Sequence, residues 1–512
     1  MIHNEKTHDA GMSKWSMGTV LGFLTLLYIG MLVMCQELRM CYIVTHLSTI
    51  KRFLPREEAF SLRAGLVLTA ANVLFATGWR KNRRVFLLYM ICLLDAAVSF
   101  LAVGGVELAW KQQLKREIIT VVLFYCAVQS IGDSLLHRML HFFYWLWLLL
   151  WSILCDLSLC QFALMIGKDG TRIAGVQLLL GDGFFEHRLF GVFTSPEYGA
   201  VTSLMIMLAG AYFYMTAQRR VERVLLVLCN APILCYQVLS GSRNAQLAFY
   251  LCVFLGVWIV CLKRPLLPCG GRRKALLALT VAISVVAGAH MGYLAIKSTA
   301  EHVPNLFSNY SGPLARDAVV QSPSTDEGKE TPDGGTETKG KLLERTDTKG
   351  NIGTNRFSIW KDYISLWKEY GLFGLSSTYD MRYIQEHHPE LFICEYVRIH
   401  KPNDYAAGQV YHTHNGYLKT LVSTGYLGFA LLMLFLFGGA IDLWRTIRKS
   451  REISPELLFP LLVVVAGCSS AIFDLELFFV FNPISYIFWL ALGILMKQTT
   501  HLHGPSAEPA YL

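Results

Sequence analysis

Four short segments hold the residues most able to do chemistry. The first is Tyr411-His-Thr-His-Asn-Gly-Tyr-Leu418, where a long polar stretch meets an apolar one. Histidine titrates near neutral pH, so His414 is suited to remove a proton from a hydroxyl as a general base. The alternative is a capping or interfacial histidine. Asn415 could orient that imidazole or a substrate hydroxyl, while His412, two residues away, would point elsewhere on a helix. The second segment is the turn Leu239-Ser-Gly-Ser-Arg-Asn-Ala245. A guanidinium held by a tight Ser-Gly-Ser turn suits bidentate phosphate binding, although Arg243 also reads as an anchor reaching to headgroups. Arg356 projects one turn ahead of Trp360 and is either an anion ligand or the interfacial anchor of its helix. Arg188 is either a ligand of the same kind or a solvated loop arginine. Carboxylates within or near apolar runs (Asp95, Asp133, Asp474, Glu476) are functional candidates by default, with polar hairpin turns as the alternative for the last two.

These residues must be positioned by a membrane body. Of 512 residues, 54% are hydrophobic and 16% charged, against about a quarter charged in soluble domains. Apolar runs cover 17–35, 61–78, 84–104, 117–135, 139–161, 197–216, 221–239, 245–263, 275–296, 426–444, 456–473 and 477–496. Each approaches the roughly 20 residues that an α-helix needs to cross the hydrocarbon core. The expectation is an all-α polytopic membrane protein with about twelve transmembrane helices, since lipid-facing backbone has no water to bond.

Lysine and arginine set the orientation. Arg80, Lys81, Arg83 and Arg84 follow the second run; Arg219, Arg220 and Arg223 the sixth; Lys263, Arg264, Arg272, Arg273 and Lys274 the eighth; Arg445, Arg448, Lys449 and Arg451 the tenth. All lie after even-numbered runs, which puts both termini in the cytoplasm. The first connection (Arg39, Lys51, Arg52, Arg56) disagrees and is outvoted. The net charge of +9 then anchors the chain to lipid and does not argue for nucleic acid. His414, Arg243, Arg356 and Arg188 all fall on the extracytoplasmic face under this topology. Residues 1–296 form an N-terminal bundle of nine spans, 297–413 a large extracytoplasmic loop between spans nine and ten, and 414–512 the last spans and tail.

Within that loop, 311–354 contains no aromatic residue and is rich in Gly, Pro, Ser, Thr and charge, the composition of a flexible tether. An amphipathic helix is expected over 356–370, with Trp360, Tyr363, Ile364 and Trp367 on its apolar face. Ser195-Pro196-Glu197 reads as a helix start. The thirteen cysteines show no CxxC or Cys/His ligand spacing, so neither zinc nor a disulfide framework is expected, and no Gly-rich nucleotide loop appears. The polar N-terminal head precedes a full-length run without a small-residue cleavage site, which reads as a retained first helix.

Taken in order, four segments resemble the O-antigen ligase and polysaccharide polymerase superfamily of membrane glycosyltransferases. They are Gly191-Val-Phe193…Pro196-Glu-Tyr198…Ala200, Ser242-Arg243, Arg356…Trp360 with Gly371-Leu-Phe-Gly374, and His414-Asn415-Gly-Tyr-Leu418…Gly425…Gly428. Glu197 stands where the family often has Asn, and Tyr370 where it often has Pro. The resemblance implies an enzyme that moves a glycan from an undecaprenyl-diphosphate donor to a hydroxyl on a glycan or glycolipid acceptor. His414 would be the base, and Arg243, Arg356 and Arg188 would bind the diphosphate. It implies inversion at the anomeric carbon, with no metal, cofactor or nucleotide required. The rival class is a transporter or a flippase of lipid-linked oligosaccharide, which would also place arginines against a diphosphate. Such a protein more often divides into matched halves about a central cytoplasmic loop, whereas the polar insertion here comes late.

Overall fold

The structure is a computed structural model. It describes residues 16–501 apart from 42–47, 77, 103–108, 167–170, 174–175, 179–181, 186, 264–270, 308–341, 344–355, 476, 479 and 481. Nearly all of the tether 311–354, and Glu476, lie outside the described residues.

Apolar helices dominate because their sequences leave the backbone no other partner in lipid. In chain order they are α1 (Met17–Arg39), α2 (Ser48–Phe75), α3 (Val85–Ala102), α4 (Ala109–Ile119, continued to Ser130), α5 (Asp133–Ala163), α6 (Pro196–Thr216), α7 (Arg220–Leu239), α8 (Arg243–Lys263) and α9 (Gly271–Ala300). Then follow the three longer helices of a polar cap, α10 (Arg356–Ser365), α11 (Asp380–His387) and α12 (Phe392–His400). The chain closes with α13 (Gly416–Lys449), α14 (Pro455–Ser470) and α15 (Pro483–His501). Among the described residues, eight helices are long and apolar enough to cross a membrane, and sheet is almost absent. The chain is thus an all-α polytopic membrane protein.

Several boundaries differ from the sequence reading, each for a local reason. The fourth run does not extend to 135. It winds into a π-helix over Thr120–Ala127 and stops at the extended Ile131 and Gly132, so Asp133 and His137 open α5. The tenth run begins ten residues early, at Gly416, and breaks at Gly425 (φ 64°, ψ −166°), which only glycine adopts readily. The last helix starts at Pro483, six residues later than the run that begins at 477. The connection 162–196 contains two small antiparallel hairpins, β1 (Thr171–Ile173) with β2 (Val176–Leu178), and β3 (Gly183–Phe185) with β4 (Arg188–Gly191). Their strands are too short for hydrophobic alternation to betray them.

The cap has its own core of Ile359, Tyr363, Leu366, Tyr370, Ile384, Ile393, Cys394, Val410 and Val422. The face of α10 that is buried is therefore Ile359 and Tyr363. Ile364 (57% exposed) and Trp367 (51%) point away, contrary to the expected stripe. The helix also ends at Ser365, because Leu366 leaves helical geometry (φ −85°, ψ 7°) before a second turn at Trp367–Tyr370.

Two glycines lock the cap to the bundle. A Cβ at Gly374 would overlap the backbone at Gly425, and a Cβ at Gly425 would overlap the backbone of Gly374 and Leu372. Backbone bonds run beside that contact, from Leu375 N to Val422 O (2.8 Å), Ser376 N to Ser423 O (3.0 Å) and Tyr426 N to Gly371 O (3.1 Å). From the other side, the buried Asp95 of α3 accepts from Ser377 N (3.0 Å) and Ser377 Oγ (2.6 Å).

Candidate active site

The site is built where α13 begins and α14 ends. Asn415 caps α13: its Oδ1 accepts from Leu418 N at 2.9 Å. That cap requires extended backbone at Asn415, and the turn into it places His414 at φ 42°. A left-handed non-glycine residue is uncommon, and such strain concentrates at functional positions. The turn is tied on both sides. Trp360 Nε1 of α10 donates to Thr413 O (2.9 Å), and Gly416 N donates to Ala471 O (2.7 Å) just past α14.

Asp474, four residues beyond Ser470, joins the two strongest candidates. His414 Nδ1 lies 3.4 Å from Asp474 Oδ1, and Arg356 Nη2 lies 3.9 Å from Asp474 Oδ2. Burial pushes the Asp474 carboxyl up, but the contact with His414 and the charge of Arg356 outweigh it and hold the group below the usual carboxylate range. Asp474 is therefore an anion shared by an imidazole and a guanidinium. Because Nδ1 faces this carboxylate, Nε2 is the ring nitrogen left for a substrate proton.

Arg243 reaches the same place through its neighbours. It is the first residue of α8, and the adjacent Asn244 donates from Nδ2 to Ser470 Oγ at 2.9 Å. Asp474 N in turn donates to Ser470 O (3.1 Å), so the Ser242-Arg243 turn and the Asp474 turn share one anchor. The N-termini of α8 and α13 both lie here, and their helix dipoles add partial positive charge to that of the arginines.

Arg188 is placed differently from the sequence expectation. It is buried (8% exposed), its Nε donates to Ser240 O at 3.0 Å, and its Nη2 lies 2.6 Å from Glu197 Oε1. It braces the turn that presents Arg243. The carboxylate at 197, where the family pattern often has Asn, is its partner. Ser195 caps α6 as expected, its Oγ accepting from Tyr198 N at 3.3 Å. Tyr411, whose ring lies 5.3 Å from that of His414, is pushed up by burial and also feels Arg356, Asp474 and Glu197. The α6 start and the His414 cluster thus share one neighbourhood.

His412 is exposed and, like His414, lies outside any helix, so the helical argument that separated the two does not apply. It is His414 that meets Asp474. Asn415 spends its side-chain oxygen on the cap. Asp474 was one of several carboxylates in the sequence, and only its contacts single it out. The weak signal available was its position in a hairpin turn on the reactive side.

Residues 225–433 match a family model described as O-antigen ligase. The match spans Arg243, Arg356, His414 and Asn415; Arg188 and Asp474 lie outside it. Neither a curated protein nor a solved structure matches the chain.

Proposed function

We propose that this chain, whose residues 225–433 match the O-antigen ligase family model, moves a glycan from an undecaprenyl-diphosphate carrier to a hydroxyl acceptor. The reaction would run at the outer face of the cytoplasmic membrane, with about twelve spans, both termini inside and the cap outside. The concordant basic clusters after even-numbered spans support that topology.

One observation carries the reading: Asp474 holds His414 on one oxygen and Arg356 on the other. A base and an anion ligand gathered on one carboxylate are what such a transfer needs. Nε2 of His414 takes the proton of the acceptor hydroxyl. The acceptor oxygen bonds to the anomeric carbon as the bond from that carbon to the diphosphate oxygen breaks. Attack opposite the leaving group inverts the configuration. The electron pair leaves on the lipid diphosphate, where Arg356 and Arg243 meet the growing charge. Two guanidinium groups and two helix N-termini can neutralise that charge without a divalent ion. Asp474 lies against Nδ1 and orients the imidazole, and Arg188 holds the Arg243 turn. The donor arrives already activated, so no nucleotide is needed.

The test is glycan transfer by purified protein from a lipid-diphosphate donor, comparing wild type with His414→Ala, Arg243→Ala and Arg356→Ala. Loss of turnover in all three folded variants is expected. Full turnover in folded His414→Ala removes the base assignment, and carrier movement without transfer would replace the enzyme by a flippase.

A further inference from the structure

The end of the bundle opposite the His414–Asp474 cluster holds a cavity of about 620 Å³ that the transfer reaction does not use. Helices α5 and α14 connect the two ends. Asp133 and Glu456 lie in their first turns at the cavity mouth. Their far ends lead to the β4 hairpin of Arg188 and to Asp474.

The cavity grades from polar to apolar along its length. His137, Tyr212 and Gln498 join the two carboxylates at the mouth. Farther along, the walls are Met205, Ala209, Val463 and Ile487, and the lining reaches Trp147. Trp147 is fourteen residues along α5 from Asp133, a depth of about 21 Å at 1.5 Å per residue. That is about two thirds of a hydrocarbon core roughly 30 Å thick.

Most polar groups at the mouth are engaged. His137 Nδ1 lies 3.1 Å from the Tyr212 hydroxyl, and Lys497 pairs with Asp133 at 2.5 Å. Glu456 differs: it is half-buried, and no hydrogen bond or ion pair meets its carboxylate among the described residues. Its place in the first turn of α14 lets the helix dipole tolerate the charge and leaves its oxygens open to a cation.

We propose that this crevice binds one glycerophospholipid with an ammonium headgroup, the ammonium on Glu456 and one acyl chain running toward Trp147. The surrounding medium is lipid, and an amphiphile with a cationic end and a long apolar tail matches the polarity gradient. A polyisoprenyl diphosphate fits poorly, because its anionic head would meet Glu456 and its reacting end belongs at the other end of the bundle.

Native mass spectrometry of the full chain, equilibrated with equal phosphatidylethanolamine and phosphatidylglycerol, tests the site independently of any transfer assay. Wild type should retain one phosphatidylethanolamine and prefer it by about five-fold, the upper range for such an ion pair. Glu456→Gln should bring the preference near unity while keeping an occupant. Ala209→Phe, with Ile494→Trp as a second blocking variant, should lower occupancy several-fold. Equal retention of both lipids by wild type, full occupancy in both blocking variants, or a polyisoprenyl lipid in the crevice would overturn the proposal.

Discussion

Replacing Asp474 with asparagine keeps its size and removes the one charge that His414 and Arg356 share. At 3.4 Å from Nδ1, with an effective dielectric of about 20, a full charge on the imidazole is worth about 5 kcal/mol in Coulomb energy. About half of that charge has developed at the transition state, and Arg356 at 3.9 Å competes for the same carboxylate. The differential stabilisation is then about 2 kcal/mol, or about thirty-fold in kcat. Donor KM should not rise, because Arg356 loses a competing anion and stays free to bind diphosphate. Initial rates of glycan transfer with donor and acceptor varied separately would separate the two constants, with monodispersity and Tm confirming the fold. A kcat within two-fold of wild type, or a loss confined to donor KM, would show that Asp474 neither orients the base nor stabilises its charge.

Three further outcomes follow from the same geometry. Arg356→Lys keeps the charge but not the planar fork, so kcat/KM for the donor should fall by about ten-fold or more in the same assay. Gly425→Ala puts a Cβ against Gly374 at a φ of 64°; a cost of about 2–4 kcal/mol should appear as a lower Tm and faster proteolysis of the cap. The depressed pKa of Asp474 makes its contribution to stability present above the ordinary carboxylate pKa and lost as pH falls through the lower folded value. The Tm difference between wild type and Asp474→Asn should therefore persist through mild acid and close only below about pH 4.

Much of the body was readable because hydrocarbon tolerates so few backbone solutions. Each apolar run corresponds to a helix, and the Ser195 cap and its following proline mark the start of α6. Boundaries drifted where a non-hydrophobic device intervened: the Gly132 break, the Gly425 bend and the turn before Pro483. On α10, Trp360 and Tyr363 meet the cap core as expected but Ile364 and Trp367 do not, because a cap with its own core offers a second apolar surface and helical periodicity cannot say which surface a helix will meet.

The candidate chemistry divides along the same line. Residue types and order put His414, Arg243 and Arg356 forward, each beside a plainer reading as a cap or an interfacial anchor. Contacts between segments far apart in sequence lay beyond it. Only the folded chain brings Asp474 between His414 and Arg356, turns Arg188 inward to Glu197, and commits Asn415 to a helix cap. The reason is range. Hydrophobicity and capping act over a few residues and are written locally, whereas a shared carboxylate depends on where three separate turns meet.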